Sequence, residues 1–441
     1  MELEVWLDTA LAGRLTHDVE ADRFEFDYDP SWLARADAYP LSPMLPLQPE
    51  AGRAEHAHAL QVRRFFENLL PEGQALDDAV QALKLSKSNL AGLLVALGRE
   101  TAGAIRLVMA GAPTTDLDEK RLVTAAELSE RIRQRAERPF SVWDEKVRLS
   151  IAGYQDKLAL LVEGDCWYLV EGPNLASTHI LKPEPARLSL AGLTSNEFFC
   201  MRLAHAVGLP VAPVELHHVP EPVVLIERFD RYREGDAIRR VHTIDGCQLL
   251  GLPVAYKYER IYGDGRDVKH VRDGASLPRF FDATDRAANP ARDRLDLLRW
   301  TIFNVLIGNA DAHAKNLSFF MSAGRPALAP AYDLVCNALY TESINQNLAM
   351  AVGDAFLIEE ITALEWAQLC ATTHLNAALL VREIQRMINL MGGSVATEVE
   401  QGALVSGADP EVIGRIRAVI ESACERQAAI APEIRGMLSY V

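Results

Sequence analysis

Residues 292–307 carry Leu295, Leu297, Leu298, Trp300, Ile302, Phe303, Val305 and Leu306 around most of the circumference of a helix. A helix that is apolar nearly all round must be covered on every side, so this one belongs at the centre of a helical lobe. Period-two alternation dominates the earlier part of the chain, and helical periodicity dominates the later part. That order predicts an α+β chain with a strand-rich N-terminal lobe and an all-helical C-terminal lobe, with a crevice between them.

The strand patterns are residues 4–8, 13–15 and 24–28, then 147–152, 157–162, 167–170, 179–182 and 223–229. Pro183 ends one of them, and the residue before a proline is pushed towards extended geometry, so Lys182 lies at a strand end. Helices are expected at 57–70, stopped by Pro71-Glu72-Gly73, at 88–97 before Gly98, and at 125–135. Further helices are expected at 195–207 before Gly208, at 364–391 with breaks, and at 410–438. Residues 111–115, rich in proline and threonine, read as a linker. The domain reading is 1–110, a linker and helix at 111–144, a strand-rich N-terminal lobe at 145–230, and a helical lobe at 231–441.

Forty-five basic against 61 acidic side chains leave a net charge of −16. That balance argues against extensive nucleic-acid contact by the chain alone, because phosphate binding needs clustered Lys and Arg, and leaves room for a small basic patch or a basic partner. The six cysteines are scattered with no C-x-x-C pair, which fits reduced, buried thiols. No apolar run approaches the roughly 18 residues of a membrane span, and the acidic N-terminus has no signal-peptide pattern. The expected compartment is the cytoplasm, with no membrane partner.

Directly after the central helix comes Asp311-Ala312-His313-Ala314-Lys315-Asn316, and later Tyr332-Asp333. These residue types suit metal-dependent phosphoryl transfer. Asp311 can accept the proton of an attacking hydroxyl, and Asn316 and Asp333 can hold Mg²⁺ against nucleotide phosphates. Protein kinases use the same Asp-to-Asn spacing with a further metal-binding Asp. Taken alone, the spacing also suits a polar turn after a helix.

The other candidates each carry a plainer alternative. Lys182 can meet the phosphates or be a solvated surface lysine. Glu197 can position that lysine, or close a Thr194-x-x-Glu197 capping box. Ser150 to Lys157 lie between two strand patterns, where a loop can cover phosphates or simply turn a hairpin. Glu227-Arg228-Phe229-Asp230-Arg231 can present backbone to an adenine or just end a strand. His313 can bind metal or order the loop.

In their order along the chain, these segments resemble the HipA family, kinase-fold toxins of bacterial type II toxin–antitoxin modules. The matching stretches are residues 149–157, 178–182, Asn196-Glu197, 227–231, 307–316 and Tyr332-Asp333, with 40–47 and 65–71 in the N-terminal segment. The resemblance implies a serine/threonine protein kinase using ATP and Mg²⁺, with Asp311 as base and Asn316 and Asp333 as metal ligands. The nucleotide would be held by Ala152, Gly153, Tyr154, Gln155, Asp156, Lys157, Lys182, Glu227, Arg228, Phe229, His313, Ala314, Lys315, Asn316, Tyr332 and Asp333. Glu197 would position Lys182, and Ser150 would be the autophosphorylation site.

It further implies a protein substrate such as an aminoacyl-tRNA synthetase, growth arrest leading to persistence, and a HipB-like helix-turn-helix antitoxin. A lysine-rich, DNA-touching patch of the family is replaced here by the acidic and apolar stretch 353–360, so operator contact falls mainly to the antitoxin. Two competing readings remain at this level: a weakly active co-repressor working with such an antitoxin, and a small-molecule or lipid kinase.

Overall fold

A computed structural model describes residues 1–48, 55–112, 118–144, 146–148, 155–322 and 324–441. The chain forms two compact units, neither a consecutive segment. The first comprises residues 1–183, 218–254 and 319–326, and the second 184–217, 255–318 and 327–441.

In the first unit, Glu2–Leu7, Ala10–Asp18, Arg23–Tyr28 and Ile105–Met109 form an antiparallel sheet. Its order puts 2–7 between 10–18 and 105–109, with 23–28 at the edge. Leu3, Val5 and Leu7 are buried and alternate with half-exposed neighbours, the period-two signal that made these strands legible. The fourth strand, Ile105–Met109, was not anticipated. The helix Glu55–Glu67 buries Val62, Phe65 and Phe66, and Phe66 lies 5.8 Å from Phe26 of the sheet. Pro71-Glu72-Gly73 both ends this helix and starts another, Gly73–Leu83, for which Glu72 is the N-cap. Asn89 caps Leu90–Leu97 by accepting from Gly92 N at 2.9 Å.

A second antiparallel sheet of the same unit runs in the order Pro222–Glu227, His179–Pro183, Leu158–Glu163, Cys166–Glu171, Glu119–Val123. Leu128, Ile132, Phe140, Trp143, Leu158, Leu160, Leu181 and Leu225 form its core. The outer strand 119–123 escaped the sequence reading because only Val123 of its five residues is buried. An edge strand of this kind has no clear alternation to detect.

His242 in this unit is 2% exposed, packs on Tyr39 and sets Nε2 at 2.8 Å from the Leu41 carbonyl. The carbonyl only accepts, so Nε2 carries the proton. Burial pushes the imidazole down to about 4, although the Leu41 bond works the other way. The unfolded chain therefore binds a proton more readily, and stability is full above about pH 6.5 and falls as pH drops towards 4. Between pH 7 and pH 5 the loss should be about 2 kcal/mol, at roughly 1.4 kcal/mol per unit. Urea unfolding at both values checks this. His242→Phe should remove most of the difference, and an unchanged pH dependence would exclude His242 as its source.

The second unit is built on the helix Pro290–Leu306, with Pro290 in the first turn and Leu297, Leu298, Trp300, Ile302, Phe303, Val305 and Leu306 buried. Around it lie Leu193–Ala206, Leu277–Thr284, Ala363–Thr373, Ala377–Met391, Ser394–Val405 and Pro410–Ile430. The break expected within 364–391 falls where His374, at φ 55°, ends one helix and Asn376 caps the next.

The all-helical reading of residues 231–441 needs correction. Arg231–Glu234 and Ala237–Arg240 form a hairpin, and Thr243–Asp245, Ser318–Ser322 and Arg325–Leu328 form a three-stranded sheet. The hairpin is arginine-rich and four residues per strand, too short for alternation to show.

Candidate functional site

The end of the central helix sets the site in the second unit. Ile307 caps the helix, and Gly308 follows at φ 71°. A side chain there would meet Ala338 Cβ at 2.9 Å as well as adopt an unfavourable backbone. The chain then enters a relay of buried asparagines. Asn309 Nδ2 donates to Asn304 Oδ1 at 2.7 Å. Asn309 Oδ1 accepts from Asn337 Nδ2 at 2.7 Å and from the Asp311 N–H at 3.1 Å.

Asn309 thus fixes the backbone of Asp311 to the helix on one side and to residue 337 on the other. The Asp311 carbonyl accepts from His313 N at 2.9 Å and from Asn316 Nδ2 at 3.0 Å. Ala314–Asn316 form one tight helical turn, and residues 313–316 are all buried. Asp311 itself is half-buried, and its Oδ1 accepts from Tyr258 Oη at 2.8 Å.

Tyr332 draws the second carboxylate segment to this loop. Its hydroxyl donates to the Lys315 carbonyl at 2.6 Å and so accepts from Ser318 Oγ at 2.8 Å. Asp333 follows at φ 57°, a left-handed conformation uncommon outside glycine, though aspartate and asparagine tolerate it best. Beyond it, Cys336 N donates to Asn196 Oδ1 at 2.8 Å and Ala338 N donates to Gly308 O at 3.1 Å. The second unit therefore brings together Asp311, His313, Ala314, Lys315, Asn316, Tyr332 and Asp333.

Glu197 lies in Leu193–Ala206, whose N-cap is Gly192 and not Thr194. The helix starts two residues earlier than the sequence suggested. Glu184 serves its first turn, accepting from Gly192 N and, at 2.6 Å, from Thr194 Oγ1. The capping-box alternative for Glu197 is thereby removed, and its carboxylate is 1% exposed.

The remaining candidates belong to the first unit. Ser150, Ala152, Gly153 and Tyr154 lie outside the described residues. Lys182 is buried on His179–Pro183 and pairs with Val224, and His179 pairs with Glu227 at the other end of the same ladder. Lys157 is buried, and Gln155 and Asp156 are half-buried. Burial pushes the Asp156 carboxyl up, partly opposed by Arg135 at 3.8 Å.

Glu227 is exposed and Phe229 packs edge-on to Phe320 at 5.7 Å. Arg228 differs from its neighbours. Its N–H donates to Thr178 O at 2.8 Å. Its guanidinium is spent on Asp230, Glu100, Ser177 and the Thr101 carbonyl. What Arg228 has left to offer a nucleotide is its own carbonyl.

Sequence reasoning missed Tyr258, Asn337 and Glu100, and quoted Asn309 without a role. Only Asn309 carried a local signal, as a polar residue directly at the end of an apolar helix. Among the described residues there is no group of three or more His, Cys, Asp or Glu placed to hold a metal ion. Mg²⁺ in nucleotide sites uses one or two protein ligands together with phosphates and water. The Asn316 amide oxygen, left over once Nδ2 is committed to Asp311, and the Asp333 carboxylate are hard oxygen donors that fit such an ion.

In the stretch 353–360, Asp354 pairs with Arg272 at 2.6 Å and Phe356 lies 3.5 Å below the Arg260 guanidinium. No helix among the described residues is long and apolar enough to cross a membrane.

A family model described as the HipA-like C-terminal domain matches residues 149–398, and one described as the HipA N-terminal domain matches residues 3–108. The serine/threonine-protein kinase toxin HipA of Shewanella oneidensis is 37% identical, over 99% of this chain and 98% of its own length. A solved structure of Shewanella oneidensis HipA with HipB and operator DNA contains a chain that matches with a TM-score of 0.86 at 35% identity. The match covers 98% of this chain and 99% of that one.

Proposed function

This chain belongs to the HipA family of serine/threonine-protein kinases, and from that membership we propose that it is the toxin of a toxin–antitoxin pair, transferring the γ-phosphate of ATP to a translation protein such as an aminoacyl-tRNA synthetase. The observation that carries the reading is the convergence of Asp311, Asn316 and the Tyr332-Asp333 segment through the hydrogen bonds of one buried loop.

Asp311 takes the proton from a serine or threonine hydroxyl as its oxygen bonds to the γ-phosphorus and the bond to ADP breaks. Asn316 and Asp333 would hold Mg²⁺, which would supply charge neutralisation for the transferring phosphates. Lys182 contributes a fixed cation to the phosphates, with Glu197 positioning it. Glu227 to Phe229 offer backbone to the adenine, and residues 152–157 cover the triphosphate. Ser150 is the autophosphorylation site. Phosphate there adds roughly −1.5 to −2 charges, which repels the triphosphate and switches the enzyme off. The structure of the Shewanella relative with HipB and operator DNA supports a HipB-like antitoxin as the partner, and the acidic and apolar stretch 353–360 leaves most of the operator contact to it.

The test is incubation of the purified chain with labelled ATP and Mg²⁺. Label should appear on Ser150 and be absent from Asp311→Asn, and induction in cells should phosphorylate a translation protein only with Asp311 intact. Equal labelling of both forms would overturn the assignment. A chain that takes no label yet represses its operon with an antitoxin would be a co-repressor instead.

A further inference from the structure

We infer that Tyr258 is a positioning residue for phosphoryl transfer, holding one oxygen of Asp311 so that the other meets the acceptor hydroxyl; the inference rests on Asp311 being the base. The Tyr258 hydroxyl donates to Asp311 Oδ1 at 2.8 Å, across 53 residues of sequence. Its ring stands edge-on to His313, with centroids 5.3 Å apart and planes at 88°, and Lys257 Nζ lies 5.4 Å from the ring centre. Two residues of the loop, Asp311 and His313, therefore meet one tyrosine through different parts of it.

The backbone around Tyr258 is strapped on both sides. Before it, the Lys257 carbonyl accepts from Ala314 N at 3.1 Å. After it, Glu259 N donates to Ala349 O at 2.8 Å, and Ala349 N donates in turn to Ala310 O at 2.8 Å. Both straps end on the catalytic loop, one on each side of Asp311. Glu259 adds an anchor, its buried carboxylate accepting from Ala351 N at 2.8 Å and from Arg272 Nε at 2.6 Å. Gly274 lets a neighbouring strand of chain close over this segment, since a Cβ there would stand 1.8 Å from the Tyr258 carbonyl.

This scaffold is not explained by burial of the tyrosine, which remains 36% exposed. A solvated hydroxyl gains little by choosing a carboxylate over water. What the bond does is fix the rotation of the Asp311 carboxylate, whose backbone the asparagine relay has already fixed. Transfer to a hydroxyl depends steeply on that placement, a misplacement of about 1 Å costing on the order of 100-fold.

The measurement uses the full chain at saturating ATP, following autophosphorylation by intact mass. Tyr258→Phe keeps the ring and removes only the hydroxyl. The maximal rate should fall about 10- to 100-fold, with the half-saturating ATP concentration unchanged. The thermal midpoint of Tyr258→Phe should stay within a few degrees of wild type, which separates lost positioning from lost folding. An unchanged maximal rate in Tyr258→Phe, or a loss carried by a higher half-saturating ATP concentration at unchanged maximal rate, overturns the positioning role while Asp311 stands. Wild-type activity in Asp311→Asn alone overturns the base assignment and this inference with it.

Discussion

Asp333→Asn should reduce phosphoryl transfer by at least about 100-fold, since loss of even a ligand's supporting contact costs 10- to 100-fold. The backbone at this position allows that loss to be separated from misfolding. Asp333 is held at φ 57°, and asparagine accepts the left-handed region as readily as aspartate. The thermal midpoint of Asp333→Asn should therefore stay within a few degrees of wild type.

Asp333→Ala should lose the same activity and in addition about 1 kcal/mol of stability, because alanine pays for a positive φ with no local hydrogen bond in return. Raising Mg²⁺ or supplying Mn²⁺ should recover part of the rate in the asparagine variant, since weakened ion binding yields to mass action. If Asp333→Asn turned over at half the wild-type rate in ordinary Mg²⁺, the carboxylate would not be a metal ligand. A non-glycine residue held at such a φ by Tyr332 on one side and by the Cys336–Asn196 contact on the other fits a strained position kept for its chemistry.

The parts of this molecule that were legible in sequence are those whose signal is local. The period-two burial of Glu2–Leu7 and the all-round apolar face of Pro290–Leu306 follow from neighbours a few residues apart. The Asp311-to-Asn316 spacing is local too, and the structure shows the bond it permits, from the amide of one to the carbonyl of the other. What escaped depends on long separations or on weak strands. Tyr258 meets Asp311 across 53 residues, and nothing in Tyr256-Lys257-Tyr258 marks the third residue over the first. Ser318–Ser322 begins directly after a polar loop, where a short apolar run can extend a helix or form a strand equally well. Glu100, directly after Gly98-Arg99, carries no local signal, and its partners lie 77 to 140 residues away.

Those partners make Glu100 a stability-sensitive carboxylate of the first unit. One oxygen accepts from Ser177 Oγ at 2.7 Å and faces Arg228 at 3.2 Å and Arg231 at 3.5 Å; the other accepts from Arg240 at 3.0 Å. Asp230 takes the second side of the cluster, bound by Arg228 at 2.8 Å, by Arg231 at 2.9 Å and by the Gly103 N–H at 2.6 Å. Three buried guanidiniums thus face two carboxylates. Burial by itself would raise the Glu100 carboxyl, yet Arg240, Arg231 and Arg228 bring it down to about 2. A carboxyl depressed in the folded state stabilises above its ordinary value of about 4.5, and that contribution is lost as pH falls through 4.5 towards 2. Glu100→Gln keeps the shape and leaves three buried cations against Asp230 alone. Breaking a buried pair from one side costs about 3 to 5 kcal/mol, and because Glu100 is a quarter exposed the lower end is expected. Urea unfolding at pH 7 reads the loss, and the variant should also show a smaller decline of stability between pH 4.5 and 2. Arg240→Met in the same chain should return part of it, since the surplus cation leaves with the anion it faced. A loss below about 1 kcal/mol in Glu100→Gln would mean that water, and not the carboxylate, satisfies these arginines.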